Sequence, residues 1–211
     1  MEIKTVQKVA GGAPLNYYHL GYKNRVGNDK IYEMISWDKN IRKFEDINGK
    51  DPQAVVLVVF NKDYSKLLLN LEFRMAVNEK VYNMPAGLIE QGESIEDAAR
   101  RELKEETGLD LITIVDILNP AYSSVGISNE KTVCIFCTAE GEIGGNPEPD
   151  EEIECNWYSK KDIIRLINDN SVKMAARTQM LCYMWSVWGW GGLIYEFNFS
   201  YKSDGVWYKK I

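Results

Sequence analysis

Hydrophobic and polar positions alternate in two stretches near the N-terminus, Tyr17 to Lys23 and Lys30 to Trp37. A period of two is the mark of a strand with one covered face. Between them, Asn24-Arg25-Val26-Gly27-Asn28-Asp29 supplies residues that tolerate positive φ, so an antiparallel ribbon is expected within residues 1–50. The pattern changes at Asp51-Pro52. Ala54 to Phe60 is apolar at both parities, as in a strand buried on two faces. Asn61 to Tyr64 turns the chain into a second strand, Lys66 to Phe73, and further strands are expected at Tyr82–Ile89, Leu111–Leu118 and Lys131–Cys137.

One helix interrupts this series, Ile95 to Thr107, opened by Ser94 with Asp97 three residues on and stopped by Gly108. Two more are expected late, Lys160 to Asn168 behind Ser159 and Val172 to about Trp188 behind Ser171. After Gly191 the aromatics Tyr195, Phe197, Phe199 and Tyr201 share one parity, and Ser203-Asp204-Gly205 offers a turn into Val206 to Lys210, a C-terminal hairpin. The order predicts an α+β fold around a mixed sheet. Its parts are a ribbon over 1–50, a main domain over 51–190 and an aromatic tail over 191–211.

Charge narrows the function. With 25 Lys plus Arg against 31 Asp plus Glu, the net charge is −6 over 211 residues, which argues against neutralising nucleic-acid phosphates directly. No run approaches the roughly 18 apolar residues of a membrane span, and Met1-Glu2-Ile3-Lys4 lacks the charged-then-apolar order of a secretion signal, so the cytoplasm is expected. Cys134, Cys137, Cys155 and Cys182 are too few for a disulfide framework and read as reduced thiols. Cys134 and Cys137 have opposite strand parity, against a shared metal. The lone histidine, His19, lies in the ribbon, and the Gly11-Gly12 and Gly144-Gly145 pairs read as turns.

The helix at 95–107 carries the chemistry. Positions 95, 98, 99, 102, 103 and 106 form the stripe a helix turns toward a core, and it holds Ile95, Ala98 and Ala99 but then Glu102, Leu103 and Glu106, with Glu105 on the flank. Buried like charges within one turn resist ionisation unless a cation holds them, and oxygen ligands of this kind suit Mg²⁺. A solvated face explains Glu96, Arg100 and Lys104, but not Glu102 and Glu106.

The segment Gly87, five residues, Glu93, seven residues, Arg101-Glu102-Leu103, one residue, Glu105-Glu106, one residue, Gly108-Leu109 resembles the Nudix box at every fixed position. Glu72-Phe73-Arg74, Met84-Pro85-Ala86-Gly87-Leu88-Ile89-Glu90 and the N-terminal ribbon resemble the ADP-ribose and ADP-sugar pyrophosphatase branch, although a proline usual in the loop after the box is Val125. The resemblance implies an α/β/α sandwich and one to three divalent cations, Mg²⁺ with Mn²⁺ as alternative, held by the Ala86 carbonyl, Glu102, Glu105 and Glu106. It implies that Arg101 orients a box carboxylate with Glu93 nearby and that Arg74 contacts a substrate phosphate. The resemblance also implies a water-activating group on a later acidic loop, here Pro147 to Glu152, where Glu151 ranks first, Glu152 second and Glu148 third. Tyr32 and Trp37 are placed to stack on adenine, with strand packing as the alternative. A homodimer is expected, and the substrate is a small nucleoside diphosphate derivative, ADP-ribose foremost. The competing readings are hydrolysis of another nucleotide sugar or of nucleoside triphosphates, and a nucleotide-sugar sensor, which would have an eroded box and an added basic module.

Overall fold

The computed structural model describes residues 2–12, 14–48, 51–145, 152–188, 201–203 and 206–208. In chain order the strands before the first helix are β1 (Glu2–Gly11), β2 (Asn16–Lys23), β3 (Asp29–Ser36), β4 (Ala54–Phe60), β5 (Lys66–Arg74), β6 (Glu79–Asn83) and β7 (Ala86–Leu88). Then follow α1 (Ile95–Thr107), β8 (Asp110–Ile117), β9 (Ala121–Tyr122), β10 (Lys131–Glu140), β11 (Ile153–Ser159), α2 (Lys160–Asn168), α3 (Ala176–Trp188), β12 (Tyr201–Ser203) and β13 (Val206–Tyr208). The chain divides into two compact units, Met1–Ala54 with Asn119–Val133, and Val55–Leu118 with Cys134–Ile211. No helix among the described residues is long and apolar enough to cross a membrane.

The first unit is built on a three-stranded antiparallel sheet, β1-β2-β3. The expected hairpin is present: Lys23 pairs with Asp29, Gly27 takes φ 86, and Asn24 Oδ1 accepts from the N–H groups of Val26 and Asn28. The third strand, β1, is an addition to the two expected ones. Ile3 and Val6 both pack on the cluster of Tyr18, Leu20, Met34 and Ile41, although three residues apart they have opposite strand parity. Register shifts between Ile3 and Thr5 and between Lys8 and Ala10 absorb the extra residues, and they hide the period of two. Residues 119–133 belong to this unit, where Ile35 N–H donates to Ile127 O at 2.8 Å and β9 pairs with the first residues of β10.

The second unit holds the main sheet, in the order β11-β5-β4-β10-β8 with β6 on β5 and β7 on β4. All seven residues of β4 are buried, so both faces are covered. On one face Val56, Val58, Phe60, Leu67 and Leu69 pack with Ile163 of α2 and with Cys182 and Trp185 of α3. Helix α1 lies against β7, β8 and β11 and buries Ala98, Ala99 and Leu103. This is the mixed α+β sandwich expected from the sequence.

Helices α1 and α2 keep their expected bounds because their caps are chemical. Ser94 accepts from Asp97 N–H, Gly108 ends α1 at φ 78, and Ser159 and Asp162 form a full capping box. Helix α3 begins at Ala176 rather than Val172. Its expected first turn is diverted: Tyr82 N–H donates to Lys173 O and Ala175 N–H donates to Tyr82 O, so this backbone pairs with β6. Ser171 turns its N–H and hydroxyl onto Asp169 instead of capping a helix. The strand expected over Tyr82–Ile89 is two strands, because Pro85 has no N–H to donate and its carbonyl accepts from Leu57 N–H. Strand β11 is a further addition to the expected elements. In the tail, Ser203 pairs with Val206 in the β12–β13 hairpin, while residues 189–200 lie outside the described ones.

Candidate active site

Helix α1 sets Glu102, Glu105 and Glu106 on one face through their three- and four-residue spacing. Glu106 is buried at 7% exposure, the Glu102 side chain is 13% exposed and that of Glu105 is 54% exposed. Arg101 ties the entering loop to this face. Its guanidinium donates twice to Glu93 at 2.9 Å, to Glu102 at 2.8 Å, to Glu105 at 3.1 Å and to the Leu88 carbonyl at 2.9 Å. The bidentate pair holds the Glu93 carboxyl below its usual range and pushes Arg101 further up. Gly87 adds a steric requirement. A Cβ there would stand 1.9 Å from the Glu102 carboxyl carbon, so only glycine lets that carboxylate lie against the β7 backbone.

Glu106 faces the sheet, where Asn70 Nδ2 donates to its Oε2 at 2.8 Å. Asn70 sits opposite Cys155 in β11 and Asn83 in β6. Burial, with the Glu106 charge adding, pushes the Cys155 thiol up to about 12, so it stays neutral. Asn70 Oδ1 is buried with no hydrogen-bond partner among the described residues.

Among the described residues no three acidic, histidine or cysteine groups converge as a ligand set, since Arg101 draws in Glu102 and Glu105 and Asn70 holds Glu106. The donors nevertheless fit a hard divalent cation: they are oxygens only, one carboxylate is buried, another is cradled on Gly87, and an orphaned carbonyl lies beside them. Ala86 opens β7 directly before Gly87.

Strand β5 places a polar row on the same parity. Asn70, Glu72 and Arg74 alternate with Leu69, Leu71 and Phe73, and Leu69 belongs to the face covered by α2 and α3. Arg74 Nη2 pairs with Glu72 at 2.8 Å. Glu72 in turn accepts from Asn83 Nδ2 at 2.7 Å, and Asn83 Oδ1 accepts from Thr178 Oγ1 at 3.0 Å and from Met84 N–H at 3.0 Å. A buried chain therefore fixes the base of an arginine that is itself half exposed.

Glu152 stands elsewhere in this pattern. Its carbonyl accepts from Phe73 N–H at 3.1 Å, and its carboxylate pairs with Lys80 at 2.8 Å, so it belongs to the Phe73 row and not the Arg74 row. Glu152 and Glu154 together push Lys80 above the usual lysine range. Glu151 and Glu148 lie outside the described residues.

In the first unit, Tyr32 lines a cavity of about 910 Å³ with Leu20, Tyr22, Met34, Phe44 and Tyr122, and its hydroxyl donates to Gly126 O. Trp37 is committed differently, its indole N–H donating to Glu130 at 2.9 Å. His19 pairs with Glu33 and bonds Tyr17 OH, a packing role.

The sequence reading finds the box carboxylates, Arg101 and Arg74, but assigns no role to Asn70, Asn83 or Thr178. One signal stands in the sequence: Asn70 is a polar residue inside the run Leu67-Leu68-Leu69-Asn70-Leu71.

Known proteins are similar to this chain in sequence or fold. A solved ADP compounds hydrolase shares the fold, with a TM-score of 0.66 at 21% identity, over 91% of this chain and 95% of that one. An ADP-ribose pyrophosphatase of Saccharomyces cerevisiae is 30% identical over 141 residues, which are 66% of this chain and 61% of that protein. An ADP-ribose pyrophosphatase of Escherichia coli (strain K12) is 30% identical over 132 residues, 58% of this chain and 63% of that one. The chain thus spans less than two thirds of the length of these two relatives. Residues 50–178 match the NUDIX domain, a span that contains α1, the Gly87 cradle and the β5 polar row, and the chain belongs to that family.

Proposed function

We propose that this protein hydrolyses a nucleoside diphosphate linked to another moiety, with ADP-ribose giving AMP and ribose 5-phosphate as its principal reaction. The observation that carries the reading is the carboxylate set on α1, with Glu102 and Glu105 held by Arg101, Glu102 lying against Gly87 and Glu106 bonded by Asn70. The names of the relatives, ADP-ribose pyrophosphatases at 30% identity, support the substrate.

Glu102, Glu105, Glu106 and the Ala86 carbonyl would hold Mg²⁺, or Mn²⁺ in its place. Bound there, the metal supplies charge neutralisation for the pyrophosphate and a more acidic water. Arg101 offsets the mutual repulsion of Glu102 and Glu105 and holds both on the face where ligation would occur. Arg74, braced by Glu72 and Asn83, takes a phosphate oxygen through its exposed guanidinium edge. Water adds to one phosphorus, the bridging P–O bond breaks, and the leaving phosphate keeps the bridging oxygen. We assign water orientation to Glu151. The competing residue, Glu152, is held by Lys80 in the opposite parity row, which supports that choice. Tyr32 offers an aromatic face to the nucleobase in the first unit. The reading includes a homodimer, supported by exposed Ile31 on the ribbon. It also includes a reducing, cytoplasmic setting, supported by four unpaired cysteines.

A substrate panel with Mg²⁺ tests this: ADP-ribose, ADP-glucose, GDP-mannose, NADH, diadenosine polyphosphates and nucleoside triphosphates, with products identified. ADP-ribose is expected to have the highest kcat/KM, and Arg74→Ala to raise its KM roughly tenfold or more, the loss of about one charge-assisted hydrogen bond. Preference for a triphosphate would discard the substrate, and binding without turnover would favour a sensor. Glu151→Gln is expected to lower kcat by about 10² or more with Mn²⁺ affinity unchanged, the scale of a lost general base. An unchanged rate would move that role to another residue.

A further inference from the structure

Asn70 is badly chosen for stability alone. It is 1% exposed, follows the fully buried Leu68 and Leu69, and its Oδ1 finds no hydrogen-bond partner among the described residues. A buried amide with an unsatisfied carbonyl is a poorer core residue than leucine, which the strand uses at four neighbouring positions. Where a sequence breaks a packing rule without a local return, the reason lies in the site it serves. What Asn70 touches is Glu106, through a 2.8 Å hydrogen bond between two buried side chains. Its cross-strand neighbours offer it no other role. Cys155 opposite is a neutral thiol, and Asn83 opposite is engaged with Glu72, Met84 and Thr178.

We infer that Asn70 is a positioning residue for Glu106, its amide N–H holding the carboxylate in the orientation in which it ligates the divalent cation. The inference rests on the metal reading of α1 given above. An aliphatic residue at 70 would remove the donor that faces Glu106 Oε2. A carboxylate at 70 would repel Glu106. Asparagine is the residue of leucine's size that presents a donor without bringing charge of its own.

The test is a thermodynamic cycle on Asn70→Leu, Glu106→Gln and the double variant, reading Mn²⁺ affinity from the paramagnetic signal of free Mn²⁺ and thermal stability from circular dichroism. Asn70→Leu is expected to weaken Mn²⁺ binding about 10- to 100-fold, the usual cost of losing a partner to a metal ligand. Its melting temperature, read alongside, separates a lost ligand position from a lost fold. In the Glu106→Gln background the same change should cost nothing further, since the residue it acts through is gone. Should Asn70→Leu fail to fold, Asn70→Ala carries the same comparison. Wild-type Mn²⁺ affinity in Asn70→Leu, with affinity lost in Glu106→Gln, overturns the role of Asn70 and leaves the metal site standing. Losses that simply add in the double variant also overturn it. Unchanged affinity in Glu106→Gln overturns the metal reading itself.

Discussion

Glu106→Gln is expected to lose roughly 10³-fold or more in kcat, about 4 kcal/mol of barrier, which is the scale of charge stabilisation a catalytic metal supplies. The side chain is 7% exposed and Asn70 donates to it, a bond that a glutamine oxygen also accepts, without the charge assistance. Shape and hydrogen bond survive the change, and only the charge is removed. Folding should not suffer. A buried carboxylate beside Glu102 and Glu105 is a burden to the metal-free protein, so the melting temperature should hold or rise. Steady-state kinetics with Mg²⁺ and a thermal melt decide it. Full activity removes Glu106 from the metal site, and a large drop in melting temperature makes it a structural residue.

Gly87→Ala should be nearly as damaging by a different route. The alanine Cβ would fall 1.9 Å from the Glu102 carboxyl carbon and 2.0 and 2.1 Å from its oxygens. Because these atoms end a flexible side chain, the fold can yield by turning Glu102 away. Gly87 itself is not in the left-handed region, so no backbone strain is added. The expected result is a loss of about 10²-fold in kcat, typical of a reacting group displaced by roughly 1 Å, with a raised Mg²⁺ requirement and a near-normal melt. Unaltered kinetics would show that Glu102 works from another position.

The pairing of these two sites with their supports shows what sequence patterns can and cannot carry. Helices α1 and α2 are legible to the residue because serine, aspartate and glycine caps act locally. The carboxylate face of α1 is legible because acidic residues occupy a stripe reserved for apolar side chains. Strand β1 is not, since two register shifts break its alternation, and the start of α3 is not, since the competing partner of Lys173 and Ala175 is Tyr82, on a strand far earlier in the chain. The same distance hides the supports of the site. Asn70 meets Glu106 across 36 residues and Thr178 meets Asn83 across 95, and no local rule announces either bond. Gly87 reads as a fixed position of a motif, but only the folded chain supplies its reason, the carboxylate lying where its Cβ would be.

These supports share a physical logic. Glu72, Asn70 and Arg101 each fix a charged group or its partner through hydrogen bonds of 2.7 to 2.9 Å, on strands and a helix and not on loops. Rigid elements hold catalytic groups to tolerances that loops cannot.

The most direct measurement is the Mg²⁺-dependent hydrolysis of ADP-ribose by the purified protein in ¹⁸O-labelled water, with products resolved by mass spectrometry. The account predicts AMP and ribose 5-phosphate in equal amounts, one labelled oxygen on a single product, and no reaction after chelation. ADP-ribose left intact with Mg²⁺ present, or turnover that survives chelation and Glu106→Gln together, would contradict it.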